Sequence, residues 1–252
     1  MDINWRSFAE EAIQCAKHAG ATYADIRIHP LDLKEEIDVE NGVVVNVNTG
    51  TTSGFGVRVL YAGAWGFYAT DNLDTKRISD IVERAIANAR ANARTRKHPV
   101  ELLPLREDER GREYHYVSLY EIDPFSVPLD EKINLLLRAD KAMVETSKRV
   151  FLRQGHLGSY RFRKIFLTTD NVFADQTFTR IDTVITAMAQ RDPQDPDKQG
   201  CSYPSSHRAV MQKGWEAILG FNLEENVRRI AAEADMFLDA PANTPLFMLW
   251  VF

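Results

Sequence analysis

Hydrolysis at a bound metal needs two histidines one helical turn apart, so that both rings reach one ion, with a glutamate beside them to activate water. The chain has six histidines, His18, His29, His98, His115, His156 and His207, and no two lie within ten residues of each other. No HExxH-type spacing is present. Nucleophilic catalysis has little to build on. Ser205-Ser206-His207 sets hydroxyls beside an imidazole, but adjacency along the chain is not a triad, and a solvated loop histidine is the plainer reading. Cys15 falls on the apolar stripe of a helix and reads as inert. Cys201 lies in a polar loop and is the more reactive of the two thiols. Gly50 to Gly56 (GTTSGFG) is glycine-rich, but it opens a strand where a phosphate cradle would open a helix, so it reads as a hairpin or a bulged strand entry.

Two stretches suggest binding. Trp65 and Phe67 alternate onto one strand face and Tyr68 onto the other. Packing of Trp65 and Phe67 against helices is the plain expectation, and an aromatic wall for an extended peptide the sharper one. Lys148 to Lys164 carries six basic residues and no acid, which reads as a solvated hairpin face. With 31 basic and 36 acidic side chains the net charge is −5, so a general affinity for nucleic acid is not expected.

The elements that must hold these residues are legible by periodicity. Trp5, Phe8, Ala12, Ile13 and Ala16 share one helical face, with Asn4 as its N-cap and Gly20 as its stop. Four strand-like stretches follow: Tyr23 to Ile28, then Glu36 to Val39 with the alternation resumed at Val43, Val45 and Val47, then Gly56 to Leu60 as the third and Trp65 to Ala69 as the fourth. Asn41-Gly42 and Ala62-Gly63 are the turns of an antiparallel meander. A second helix starts near Thr75, capped by Asp74 or Thr75, and ends before Pro99. Residues 98–128 read as a connector, and a third helix starts near Leu129. Strands then run from Arg149 to Tyr160, Arg161 to Thr169, Val172 to Arg180 and Ile181 to Gln190, with a turn at Asp170-Asn171. Arg191 to Ser206 reads as a long polar loop, and a last helix starts near Asn222.

At 252 residues and 44% hydrophobic content the chain is long enough for a substantial core without disulfides. The two cysteines show no pairing signature. The longest apolar run, Leu246 to Phe252, has seven residues, far below the ~20 of a membrane helix, and the N-terminus shows no secretory pattern. The expectation is a cytoplasmic protein with no membrane contact.

The order of the blocks carries a resemblance. DVENGVVVNVNTGTTSGFGVRVLYAGAWGFYATDNLD, FLTTDNVFADQTFTRIDTVITAMAQ, SYPSSHRAVMQKGWEAI and ENVRRIAAEADMFLDAP occur in sequence. Together they resemble the N-terminal region of the TldD/PmbA family, once called modulators of DNA gyrase, and look closer to TldD through SYPSSH and GWE. The resemblance implies a zinc metallopeptidase system, in which a TldD-like subunit pairs with a TldE/PmbA-like one and cleaves peptides or unfolded proteins. Its HExxxH metal motif belongs to a C-terminal half, and no position here matches it, so no metal ligand or catalytic residue is carried over. Thr169-Asp170-Asn171 departs from the Ser-Glu-Gly often found there. The tail ANTPLFMLWVF departs from the family, which suggests a truncated or frame-shifted relative.

The expected fold class is α+β, antiparallel sheets with helices packed on them in two unequal lobes: 1–98, a connector 99–128, a second lobe 129–240 and an aberrant tail 241–252. The expected function is substrate guidance and subunit assembly for a TldD-like metallopeptidase, without hydrolysis by this chain alone. The alternative is a non-enzymatic peptide- or protein-binding module. Expected partners are a TldE/PmbA-like subunit or a second copy, and a peptide or unfolded protein. No cofactor is expected in this chain, zinc belonging to the absent half. The candidate peptide-binding residues are Arg58, Trp65, Arg180, Tyr203 and Arg208.

Overall fold

A computed structural model describes residues 3–74, 77–205 and 208–240. The expected apolar tail, the Ser206-His207 pair and the Thr75 cap lie outside these residues. The chain is α+β. Its main elements in order are α1 (Trp5–His18), β1 (Tyr23–Glu40), β2 (Val43–Tyr61), β3 (Ala64–Thr70), α2 (Ile78–Thr95), β4 (Glu113–Val117), α3 (Leu129–Thr146), β5 (Val150–Thr168), β6 (Phe173–Gln190), β7 (Lys198–Tyr203), β8 (Ala209–Met211), α4 (Glu216–Gly220) and α5 (Leu223–Leu238).

The local signals hold. The Asn4 side chain accepts from the Ser7 amide and caps α1. Gly20, Asn41-Gly42, Ala62-Gly63 and Asn171 all take positive φ, as a helix stop and tight turns require. Continuity is the main correction. The expected stretches are halves of longer strands: β1 and β2 run unbroken for 18 and 19 residues, and β5 and β6 for 19 and 18. The supposed connector contains β4, which pairs in parallel with β6 from Glu113↔Phe173 to Val117↔Thr177. The supposed loop after residue 190 contains β7, paired antiparallel to β6 from Ile185↔Tyr203 to Gln190↔Lys198. Helix α2 runs from Ile78 with Arg77 at its N-cap, and the Arg77 amide donates to the Asp74 carbonyl at 3.1 Å just before it.

The chain forms two compact units, each discontinuous in sequence: residues 1–34, 50–118 and 160–179 in one, and 35–49, 119–159 and 180–252 in the other. In the first unit the strand order is β3-β2-β1-β5-β6-β4. Helices α1 and α2 bury Phe8, Ile13, Ile81 and Ile86 against Ile26, Val57 and Leu167 of the sheet. In the second unit β2, β1, β5 and β6 lie side by side, and β7 and β8 both pair with β6. Here α3 and α5 bury Leu136, Met143, Val227 and Ile230 against Ile37, Leu157, Ile181 and Ile185.

Trp65 and Phe67 do not pack in the core as expected. Trp65 is half-buried and Phe67 is 56% exposed. The alternate residues of β3, Ala64 and Gly66, face α2. The cause is Gly66: with no side chain there, the α2 backbone comes into direct contact with the strand, and that register turns the odd-numbered aromatics outward.

Candidate functional site

In the second unit, alternation along three neighbouring strands sets one polar residue beside each core residue. Ile37, Leu157 and Ile181 face the helices, so Asp38, His156 and Asp182 face the other way. Their side chains meet. His156 Nδ1 lies 2.5 Å from Asp38 Oδ1, and Nε2 lies 3.0 Å from Asp182 Oδ1. Asn46 donates to the second Asp38 oxygen at 2.8 Å. Both ring nitrogens lie within hydrogen-bond reach of a carboxylate oxygen, an arrangement that favours the imidazolium over either neutral tautomer.

The electrostatics agree. Burial pulls the His156 pKa down, but the hydrogen bonds to Asp182 and Asp38 outweigh it, and the net shift is upward. Burial pushes Asp38 up, while the bonds from Asn46 and His156 pull it further down. A doubly donating imidazolium has no lone pair to offer. It is therefore neither a metal ligand nor a general base in this state. Among the described residues no group of three or more His, Cys, Asp or Glu side chains is placed to hold a metal ion.

This arrangement makes a pH prediction. A histidine whose folded pKa lies above the ordinary 6.5 stabilises the fold below pH 6.5 and loses that contribution as pH rises through the folded value. Asp38, depressed from 3.8, contributes above that value and loses its contribution as pH falls through the lower folded one. His156→Gln should therefore cost on the order of 2 kcal/mol near pH 5.5 and progressively less above pH 7. Thermal unfolding of both proteins from pH 5 to 9 reads this out. A gap that stays constant to pH 9 would contradict an imidazolium.

The network forms one wall of a cleft of about 340 Å³, lined by Asp38, Glu40, Asn46, Gln154, His156 and Arg208 among others. Gln154 is held by Glu40 at 2.8 Å. Arg208 is exposed and makes no hydrogen bond or ion pair with a described residue. The cleft thus presents an exposed guanidinium, close enough to Asp38 and His156 to act on both electrostatically, beside amide and carboxylate groups, and such groups can hold a peptide backbone or carboxylate.

The other four candidates are placed differently. Arg58 is committed: its Nε and a terminal nitrogen reach Asp25 at 2.8 and 2.6 Å, and it stacks over the Trp65 ring at 4.5 Å. Trp65 in turn meets Tyr23 edge-on at 5.8 Å. These two residues are brought together in the first unit. Arg180 is half-buried on β6 of the second unit. Tyr203 lies on β7, edge-on to Phe221 at 6.1 Å and under the Arg229 guanidinium at 5.6 Å. Cys201, the expected reactive thiol, sits on β7 against the core, and burial pushes its pKa up, away from the thiolate. The glycine-rich GTTSGFG lies inside β2, where a Cβ on Gly54 would come within 2.8 Å of the Thr70 carbonyl oxygen.

The His156 network escapes a reading by spacing because its residues are 118 and 26 positions apart. A signal was present in the alternation itself. An aspartate flanked by aliphatics, as in Ile37-Asp38-Val39, marks a polar group on the face away from the core.

Comparison with known proteins follows the same order of elements. Residues 33–89 match the family described as PmbA/TldA metallopeptidase domain 1, and residues 122–236 match its central domain. A metalloprotease of Methanocaldococcus jannaschii is 25% identical over 123 residues, 49% of this chain and 26% of the relative. A protein named zinc metalloprotease TldD homolog, from Saccharolobus solfataricus, is 32% identical over 80 residues, 32% of this chain and 18% of the relative. The matches thus span about a quarter or less of the curated relatives. Among solved structures, a protein of Thermotoga maritima described as a modulator of DNA gyrase superposes with a TM-score of 0.69 at 17% identity, covering 92% of this chain and 48% of that one. TldE from Thermococcus kodakarensis gives 0.62 at 15% identity, covering 90% and 47%.

Proposed function

Because this chain belongs to the PmbA/TldD metallopeptidase family, we propose that it guides substrate and assembles subunits for a TldD-like zinc metallopeptidase acting on peptides or unfolded proteins. It does not hydrolyse peptides by itself. The observation that carries this reading is the match of residues 33–89 and 122–236 to the first and central domains of the family. The cleft beside His156 supplies the guidance. Its wall is fixed by the Asp38–His156–Asp182 row, and Arg208 stands available to receive a carboxylate. The partner in this reading is a TldE/PmbA-like subunit.

The test is metal analysis of the purified chain with a peptidase assay, alongside peptide binding by fluorescence anisotropy. Expected are no stoichiometric zinc, no chelator-sensitive hydrolysis, and peptide binding that Arg208→Ala weakens about tenfold by removing a charge-assisted hydrogen bond. Stoichiometric zinc with hydrolysis abolished by a chelator would overturn the reading. Peptide binding that persists unchanged in Arg208→Ala would remove the cleft from it.

A further inference from the structure

Alternation leaves a trough in the sheet of the first unit, on the face turned away from its helices. Strand β2 lies between β3 and β1. Phe55 and Val57 of β2 are buried in the core under α1 and α2, so Gly54 and Gly56 fall on the opposite face. Two glycines at alternate positions put no side chain in the middle of that face. A Cβ on Gly56 would stand 2.8 Å from the Phe67 ring, so the ring takes the space of a side chain there. Ala69, opposite Gly56 in the register, adds only a methyl group. The result is a cavity of about 570 Å³, within the range of small-ligand sites.

The two walls differ in charge. On the β1 side stand Arg27 and His29. Arg27 is exposed, reaches the buried Asp25 through Nε at 3.4 Å, and lies over the Phe166 ring at 5.7 Å. Asp25 also receives Arg58 at 2.8 and 2.6 Å, so one carboxylate serves two guanidinium groups and this wall keeps a positive charge. His29 is oriented: Nδ1 lies 2.7 Å from Asp32 Oδ2, while the Arg163 amide donates to Asp32 Oδ1 at 3.2 Å. On the β3 side stand the exposed Phe67 ring and Asp71, which directly follows the strand. Asp71 is exposed and has no ion-pair partner among the described residues.

We propose that this trough binds a di- or tripeptide with an aromatic N-terminal residue, its carboxylate on Arg27, its ammonium on Asp71 and its ring against Phe67 over the bare glycines. Charge complementarity sets the direction, because the cation and the free carboxylate stand on opposite walls. The span sets the length. Strands two places apart are about 10 Å apart, and an extended chain covers about 3.5 Å per residue, so two or three residues bridge the walls. A free amino acid carries both charges on one carbon and falls short. The ring belongs to the N-terminal residue because Phe67 and Asp71 share a wall. With Nδ1 of His29 turned to Asp32, Nε2 is the ring nitrogen left to meet a peptide group. The site shares no residue with the cleft beside His156 and does not depend on it.

Isothermal titration calorimetry of the full chain with phenylalanylalanine is the test. Expected is a dissociation constant of about 100 µM, with phenylalanine alone and leucylalanine each at least about fivefold weaker. N-acetylation or C-terminal amidation of the dipeptide should each weaken it about tenfold. Arg27→Gln should weaken the dipeptide about tenfold yet leave the amidated form unchanged, and Asp71→Asn should do the same for the acetylated form. Phe67→Leu should erase the preference over leucylalanine. All three side chains are exposed, so the variants keep their fold, which circular dichroism checks. No heat from phenylalanylalanine at millimolar concentration, equal binding of the acetylated and amidated forms, or binding untouched by Arg27→Gln but lost in Arg208→Ala each overturns the proposal. Dipeptide binding that follows Arg27 and Asp71 as expected, with longer peptides indifferent to Arg208→Ala, would overturn the cleft beside His156 alone.

Discussion

Replacing Gly66 with alanine is expected to destabilise the protein by on the order of 3 kcal/mol, at the upper end of over-packing effects. A Cβ at this position would stand 2.0 Å from the Ala85 carbonyl oxygen and 2.5 Å from the Ala89 nitrogen. Both are backbone atoms of α2, so no side-chain rotation relieves the clash and the helix must move away from β3. That movement would also pull Asn88 and Asn92 off the Phe67 and Trp65 carbonyls they now reach at 2.9 Å. Gly50→Ala is the control, because nothing lies within 4 Å of a Cβ there. It should change stability by less than about 0.5 kcal/mol. Urea denaturation of the three proteins decides the matter, and a Gly66→Ala loss below about 1 kcal/mol would mean that α2 lifts from the strand at little cost.

The second large effect is expected at Lys132. Its side chain is completely buried, and its ammonium is paired with Glu35, itself 14% exposed. Phe125 and Trp215 place their rings 5.9 Å from the same nitrogen. A lysine taken out of water this fully is stable only because a carboxylate and two aromatic faces replace its hydration. Glu35→Leu removes the counter-charge and should cost about 3–5 kcal/mol, the toll of an uncompensated buried charge. Joining it to Lys132→Met replaces the pair with apolar groups and should restore most of the loss. Thermal or urea unfolding of the single and double variants measures the coupling. Additive losses would show that the two side chains do not act as a pair.

What the sequence discloses here depends on the range of the interaction. Turns and caps are local chemistry, so Asn41-Gly42, Ala62-Gly63 and the Asn4 cap were readable from residue type alone. Strand continuity was not. The Pro30 to Glu35 stretch of β1 mixes proline and charge with leucine, which hides an extended chain behind the signals of a turn. Strand β4, EYHYV, is exposed along its whole length, so no alternation of burial marks it, and its parallel pairing to β6 is a long-range fact. The candidate site divides in the same way. Arg208 was recognisable by its chemistry, but its companions Asp38, His156 and Asp182 come together only when β1, β5 and β6 are set in register. Six histidines counted along the chain gave no site, because the informative histidine has partners on other strands.

The sharing of β1, β2, β5 and β6 between two interleaved units also sets a timetable for synthesis. The first unit needs residues up to 179 before its last segment exists, although the second has already begun at residue 35. A ribosome extending the chain at about 5–20 residues per second therefore holds an unfinished first unit for roughly ten seconds or more. During that interval the valine-rich tip of β2 has left the tunnel, while the β5 and β6 segments that complete the sheet beside it have yet to be made. The pace of translation, as much as the final packing, thus governs how long an uncharged strand edge is offered to other nascent chains in the cell.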